Sequence, residues 1–290
     1  MTDMTSACNA PVLDTLSSRR LPVIPIGTFD LLAALDDDSI GFREIATVLE
    51  RFPTIAARLI QLANSSWSSP VAEVSSLDAA CSRLGVDVVK STSVALLVSA
   101  PFDPCRCPAF EPRRYWARAL AVAEAASHLA ACIGSEAGGG DLQSARTAGL
   151  LHNLGLLWLA DQLPEPTHLA LLKWARDPDV SLDRSLMELA GAGYRQAGGC
   201  LARAWGLPSS LVTALEHQGR DRGQADAGPL AKLTGMAVSM VAAAEAGSGV
   251  PAHCAADCPA VPAADAERVY RHTAQQLERI EGLAGSLFDG

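Results

Sequence analysis

The chain has 290 residues, 49% of them apolar, and carries a formal net charge of −9. That length suits one large domain or two modest ones with ample core. The acid excess excludes a direct nucleic-acid partner, which would need a basic surface, and no apolar run approaches the roughly eighteen residues of a membrane-spanning helix.

The N-terminus lacks a basic stretch followed by an apolar one, so a cytoplasmic location is expected. In that compartment the eight cysteines are expected as free thiols. Cys81, Cys132 and Cys200 stand singly in helical patterns, where cysteine acts as a small hydrophobe. Cys105 and Cys107 form one close pair, and Cys254 and Cys258, beside His253, another. Together they could hold zinc only if distant parts of the chain met in space. The expectation is loop thiols open to solvent, with no metal and no cofactor.

Taken in chain order, nearly every segment has helical period and almost none alternates with period two. Residues 1–19 are small and polar and are expected to be a disordered lead-in. A short helix is expected over 27–35. Ser39 can cap the next, with Ile40, Ile45, Val48 and Leu49 on one face. Pro53 suits the first helical position of a helix over 53–64, where its missing N–H costs nothing. Asn64-Ser65-Ser66 favours a turn through side-chain bonds to the backbone. Ser75 or Ser76 caps a helix ending at Gly85, and 86–100 is apolar enough to be buried. Pro101, Pro104, Pro108 and Pro112 then deny the helix its donors, which marks a linker and a domain boundary.

The second half opens with a long helix over 113–133, followed by the Gly138-Gly139-Gly140 loop. A helix over 141–159 carries His152. Shorter helices follow over 167–176, 181–190, 194–205 and 208–217, and two longer ones, 229–246 and 264–287, close the chain. The expected class is all-α, with two packed helical subdomains at 20–104 and 105–225 and closing helices over 226–290. Those last helices either pack back on the core or form a homodimer. No P-loop, Gly-rich strand-to-helix turn or nucleophile elbow occurs.

Several segments stand in a telling order. Leu21-Pro22-Val23-Ile24-Pro25 comes first, then Phe52-Pro53-Thr54-Ile55 leading an apolar helix, then Leu62-Ala63-Asn64-Ser65 and Arg83-Leu84-Gly85. Trp116 follows on the long helix, then Gly149-Leu150-Leu151-His152-Asn153-Leu154-Gly155, Trp205-Gly206-Leu207-Pro208 and Glu216-His217-Gln218. This series resembles the HDOD family, degenerate relatives of the HD metal-dependent phosphohydrolases found in bacterial signalling proteins. The resemblance covers residues 20–225 and implies that the second subdomain is a degenerate HD core. In catalytic HD proteins, adjacent His and Asp ligate a divalent metal that activates water for attack on phosphate.

The departures from that pattern bear on chemistry. Asn153 stands where the HD acid would, and a neutral amide brings no charge to hold a cation. Arg118 stands where a first metal histidine would be similarly placed, and a permanent cation repels metal. Tyr194 replaces a further histidine, and a common His-His pair is here His217-Gln218. No matched position keeps a carboxylate, the hard donor that Mg and Mn prefer.

The site candidates each have two roles open to them. His152 on an apolar helix is most simply a core imidazole bonded to a backbone carbonyl or to Asn153. Alternatively Arg118, His152, Asn153, Tyr194 and His217 surround a remnant pocket, where a guanidinium and neutral donors suit a nucleotide or phosphorylated small molecule. Trp116, Trp158, Trp174 and Trp205 lie on apolar faces and suit core packing. Trp67 follows the Asn-Ser turn and is expected to be exposed, as a contact for a partner protein. The resemblance implies a non-catalytic signal-transduction module acting through other signalling proteins, near cyclic-dinucleotide or two-component pathways. The alternative is an HD-type phosphohydrolase with displaced ligands, in which Asp141, Asp161 or Asp221 would join His152 and His217.

Overall fold

A computed structural model describes residues 11–19, 21–23, 27–28, 31, 33–34, 41–70, 72–133, 144–177, 180–218, 228–254 and 258–288. Among these, all regular structure is helical, as the period predicts. The first element is already a correction. Residues 11–19, expected within a disordered lead-in, form helix α1 (Pro11–Arg19), with Leu13 and Leu16 buried. Two leucines three residues apart share one helical face, and that is enough to dock so short an element.

The first half continues with α2 (Phe42–Leu49), α3 (Pro53–Ala63), α4 (Leu77–Leu84) and α5 (Val86–Ser99). Ser39 and Ile40, the expected cap and first apolar residue of α2, lie outside the described residues. The Glu44 carboxylate instead accepts from the Gly41 N–H at 2.6 Å, which closes the helix start. Pro53 opens α3, and the Ser76 hydroxyl caps α4 by accepting from the Ala79 N–H. Asn64 brackets the following loop: its amide donates to the Val74 carbonyl at 2.7 Å and accepts from the Val74 N–H at 2.9 Å. The Asn-Ser turn is therefore structural. Helix α5 is buried along most of its length, as its apolar sequence requires.

The proline-rich stretch expected as a linker is a packed strap. Phe102, Cys107 and Phe110 are buried in it, and the Phe102 ring lies 6.2 Å from that of Trp205. Proline denies helical donors but does not prevent apolar side chains from docking. The thiol expectations change as well. Cys105 is exposed, but Cys107, Cys254 and Cys258 are buried, and Cys200 is disulfide-bonded. Spacing alone does not reveal a pairing between distant cysteines.

The second half is built from α6 (Pro112–Ile133), α7 (Ala145–Leu151), α8 (Leu154–Gln162), α9 (Pro164–Arg176), α10 (Leu182–Ala190), α11 (Tyr194–Ala204) and α12 (Ser209–His217). The single helix expected across His152 is broken there into α7 and α8. Two glycines flank the break. A Cβ on Gly149 would lie 2.7 Å from the Ala123 Cα on α6, and one on Gly155 would lie 2.0 Å from the Tyr194 carbonyl oxygen on α11. Hydrogen at both positions lets α7 approach α6, and α8 approach α11, backbone to backbone.

The closing helices α13 (Pro229–Ala246) and α14 (Ala263–Phe288) pack back on the core, with α14 lying along α6. The Phe288 ring stacks on Trp116 at 4.9 Å and 13°. Trp67, expected as an exposed partner contact, is half-buried against α14: its indole N–H donates to the Arg279 carbonyl at 2.8 Å, and the Arg279 guanidinium sits 5.4 Å from the ring centroid. An aromatic ring beside a turn is covered when a distant helix reaches it, and sequence separation hides that. The two halves also meet through α5 and α7, where Arg146 pairs with Asp87 at 2.8 Å. No described helix is long and apolar enough to cross a membrane.

These contacts set two expected outcomes, both read by thermal or denaturant melts. Gly155→Ala should cost about 3 kcal/mol or more, because backbone rather than a movable side chain blocks the added methyl. Gly228→Ala, which meets nothing within 4 Å, should leave stability nearly unchanged.

Candidate functional site

The break between α7 and α8 brings the candidate residues to one place. His152 ends α7 and Asn153 precedes α8, and both are buried. The His152 Nδ1 lies 2.7 Å from the Gly149 carbonyl oxygen. A carbonyl only accepts, so Nδ1 carries the hydrogen and Nε2 keeps its lone pair. Burial pushes the imidazole pKa down to about 3; the Gly149 carbonyl opposes this and the Arg118 charge adds to it. His152 is therefore neutral throughout the physiological range.

Arg118 lies on α6, three residues past Tyr115, so the two share a face. The Tyr115 hydroxyl donates to the Asn153 carbonyl at 3.3 Å. The Arg118 charge makes a small lowering contribution to the pKa of both His152 and Tyr194. Burial raises the Tyr194 pKa, with Asp183 adding to the rise and Arg195 and Arg118 opposing it, so the phenol stays protonated. From α13, Glu245 reaches Arg118 at 3.6 Å across a partly exposed pair.

Of the five expected residues, His152 and Asn153 lie at the break, the Tyr194 backbone abuts Gly155 just beyond it, and Arg118 bears on His152 and Tyr194 through its charge. His217 does not join them by any direct bond. It is half-buried at the end of α12, and the next residue, Gln218, is the one turned inward. The Gln218 amide donates to the His152 carbonyl and to Leu215. Gln218, Tyr115 and Glu245 also contact these candidate residues, and sequence reasoning missed them. The signal for Gln218 was present, since it is half of the departure from a His-His pair. Glu245 had none, because it lies beyond the resembling segments.

Two buried acceptors complete the picture. Asn153 Oδ1 and Gln218 Oε1 receive no hydrogen bond among the described residues. For Gln218 the amide orientation is set by the two carbonyls its nitrogen serves, so the oxygen end is the unpaired one. Buried acceptors of this kind call for a donor, since leaving one unmet costs about 1–3 kcal/mol.

The donor set does not fit the metal centre of an HD phosphohydrolase. It consists of a guanidinium, two amides, two phenols and a neutral imidazole, and the carboxylate that meets it, Glu245, faces Arg118. Asp161, one of the acids that could have supplied a ligand, instead accepts from the Asp103 N–H at 3.1 Å and from Gln162 at 2.5 Å. It ties down the proline strap. Asp141 and Asp221 lie outside the described residues. The four paired cysteines, Cys105, Cys107, Cys254 and Cys258, form no cluster of three or more ligand atoms among the described residues.

The depressed His152 pKa makes a pH prediction. The unfolded imidazole takes up its proton near 6.5 and the folded one only near 3. Stability from this group is whole above about pH 6.5 and falls as pH drops toward 3, by about 1.4 kcal/mol per pH unit inside that window. Urea melts from pH 7 to 4 should show a flatter decline for His152→Gln than for the unaltered chain.

A family model for the HDOD domain matches residues 21–220. Among solved structures, a "Putative signal transduction protein" from Marinobacter aquaeolei VT8 superposes with a TM-score of 0.76 at 22% identity, over 95% of this chain and 65% of that one. A "Putative phosphohydrolase" from Shewanella amazonensis SB2B gives 0.70 at 21% identity, over 97% of this chain and 100% of that one. An HDOD domain protein from Geobacter sulfurreducens gives 0.69 at 17% identity, over 96% of this chain and 97% of that one. At these identities the likeness is one of fold. Among curated proteins none matches the chain. The helix order, the broken His152-Asn153 junction and the match over residues 21–220 lead to one conclusion: this chain belongs to the HDOD domain family.

Proposed function

We propose that this protein is a non-catalytic regulatory module of bacterial signal transduction. It acts through partner proteins, and an anionic, nucleotide-like ligand bound at the α7–α8 junction sets its state. The observation that carries this is the inverted charge of the junction. A fixed cation, Arg118, stands where the resemblance puts a metal histidine, and a neutral amide, Asn153, where it puts the acid, beside a neutral His152. Arginine suits phosphate because its planar fork donates in pairs.

The unpaired oxygens of Asn153 and Gln218 narrow the chemistry further. They accept hydrogen bonds, so they suit the N–H or O–H groups of a base or ribose, while Arg118 takes the phosphate. A ligand bearing both kinds of group fits better than inorganic phosphate does. Glu245 competes with that phosphate for Arg118. For the partner, the paired helices α9 and α10 expose Leu169, Met187 and Leu189, apolar side chains of the kind that anchor protein contacts.

The test is thermal stabilisation by a panel of mono-, di- and cyclic dinucleotides in the presence of chelator. A true ligand at a hundred times its dissociation constant should stabilise by about 2.7 kcal/mol. Arg118→Ala should abolish the shift, and Glu245→Gln should tighten binding several-fold by freeing the guanidinium. Hydrolysis of a phosphate ester that depends on added Mn or Mg would sink the proposal and favour the phosphohydrolase alternative.

A further inference from the structure

Away from the junction, three side chains meet on the seam between α6 and α14. Glu124 and His128 sit four residues apart on α6, so they share a face. His272 comes from α14, and its Nε2 lies 2.9 Å from Glu124 Oε1. The His128 and His272 rings meet edge to face with centroids 4.7 Å apart. One ligand atom from each of the three lies within 4.8 Å of the others. We propose that Glu124, His128 and His272 form a binding site for a divalent transition metal, Zn2+ being the natural occupant, which clamps the closing helix onto the HD-like half.

The donor set fits that ion. Two imidazole nitrogens and one carboxylate oxygen are the three protein ligands of a tetrahedral zinc that keeps its fourth position for water. Ligand atoms on such a tetrahedron stand roughly 3.3 Å apart for bonds of about 2.0–2.1 Å, so small rotamer changes would suffice. The site is half-buried, with 41% of the His272 side chain and 31% of that of Glu124 exposed, which leaves an entry path and room for the water. Imidazole binds metal in its neutral form. Burial and the neighbouring His272 hold the His128 pKa below its usual value, against the opposing pull of Glu124 and Asp87.

The nearby cations do not block the site. Arg146 is paired with Asp87 at 2.8 Å, and Arg268 with Asp265 at 2.5 Å. Cys132 lies one further turn along α6, but its Sγ donates to the His128 carbonyl at 3.1 Å and the thiol stands outside the cluster. The site is also distinct from the metal centre of catalytic HD proteins, since His272 lies beyond the matched residues 21–220. It uses none of Arg118, His152 or Asn153.

The site is tested by titrating the 290-residue chain, with the Cys200 disulfide intact, with Co2+, a spectroscopic stand-in for Zn2+, followed by Zn2+ competition. The expected result is one Co2+ per chain with weak d–d bands of a nitrogen and oxygen set, no thiolate charge-transfer band, and displacement by Zn2+. His272→Gln and His128→Gln keep a hydrogen-bonding side chain at each position and should weaken binding at least tenfold. Zn2+ should raise the melting temperature of the unaltered chain, and this shift should vanish in both variants. Absence of binding, a thiolate band that assigns the metal to cysteines, or binding that persists in both variants would each overturn the site. None of these results bears on the nucleotide proposal, whose test is run in chelator.

Discussion

Everything at the centre of this molecule depends on two backbones being allowed to touch. Gly149 brings α7 against the main chain of α6 at Ala123, and Gly155 brings α8 against the Tyr194 carbonyl of α11. Between them the chain breaks at His152 and Asn153, so the break itself is wedged among α6, α11 and α12. No larger residue could serve at either place, because what the side chain would strike is main chain and cannot swing away. The closeness of the helices is what presses Tyr115, Tyr194 and Gln218 onto so short a segment.

Burial at that junction then decides its electrostatics. A histidine held in an apolar wedge, with its Nδ1–H on a carbonyl and a guanidinium nearby, has no reason to take a proton. The same geometry in an HD enzyme would serve a metal, since neutral imidazole is the ligating form. What differs here is the company: Arg118 and Gln218 stand where the resemblance puts histidines, and Asn153 where it puts the acid. On the proposed reading, a scaffold that holds a cation in catalytic HD proteins here serves an anion.

The fold was largely legible in the sequence. Period, proline starts and polar caps placed most helices within a residue or two, as with α3 at Pro53, α4 behind Ser76 and α12 after Pro208. The failures share one cause. Residues 11–19, the proline strap and Trp67 were each judged from local composition, yet each is decided by a surface supplied from far along the chain. The break at His152-Asn153 was missed because both flanking runs are apolar and helical, so nothing local marks the interruption.

For the site, the sequence by itself determined which chemistry is present: Arg118, Asn153 and Tyr194 are visible as departures from a metal-binding series, and no alignment in space is needed to see that carboxylates are missing. Only the tertiary structure decided which neighbours share that chemistry. Gln218 rather than His217 turns inward, Glu245 arrives from a helix beyond the resembling segments, and His272 crosses to Glu124 and His128 from 148 residues away in the case of Glu124. Residue type is written in the chain, but direction and proximity follow from helix packing, in which a rotation of one residue, about 100°, turns a side chain from the interior toward solvent.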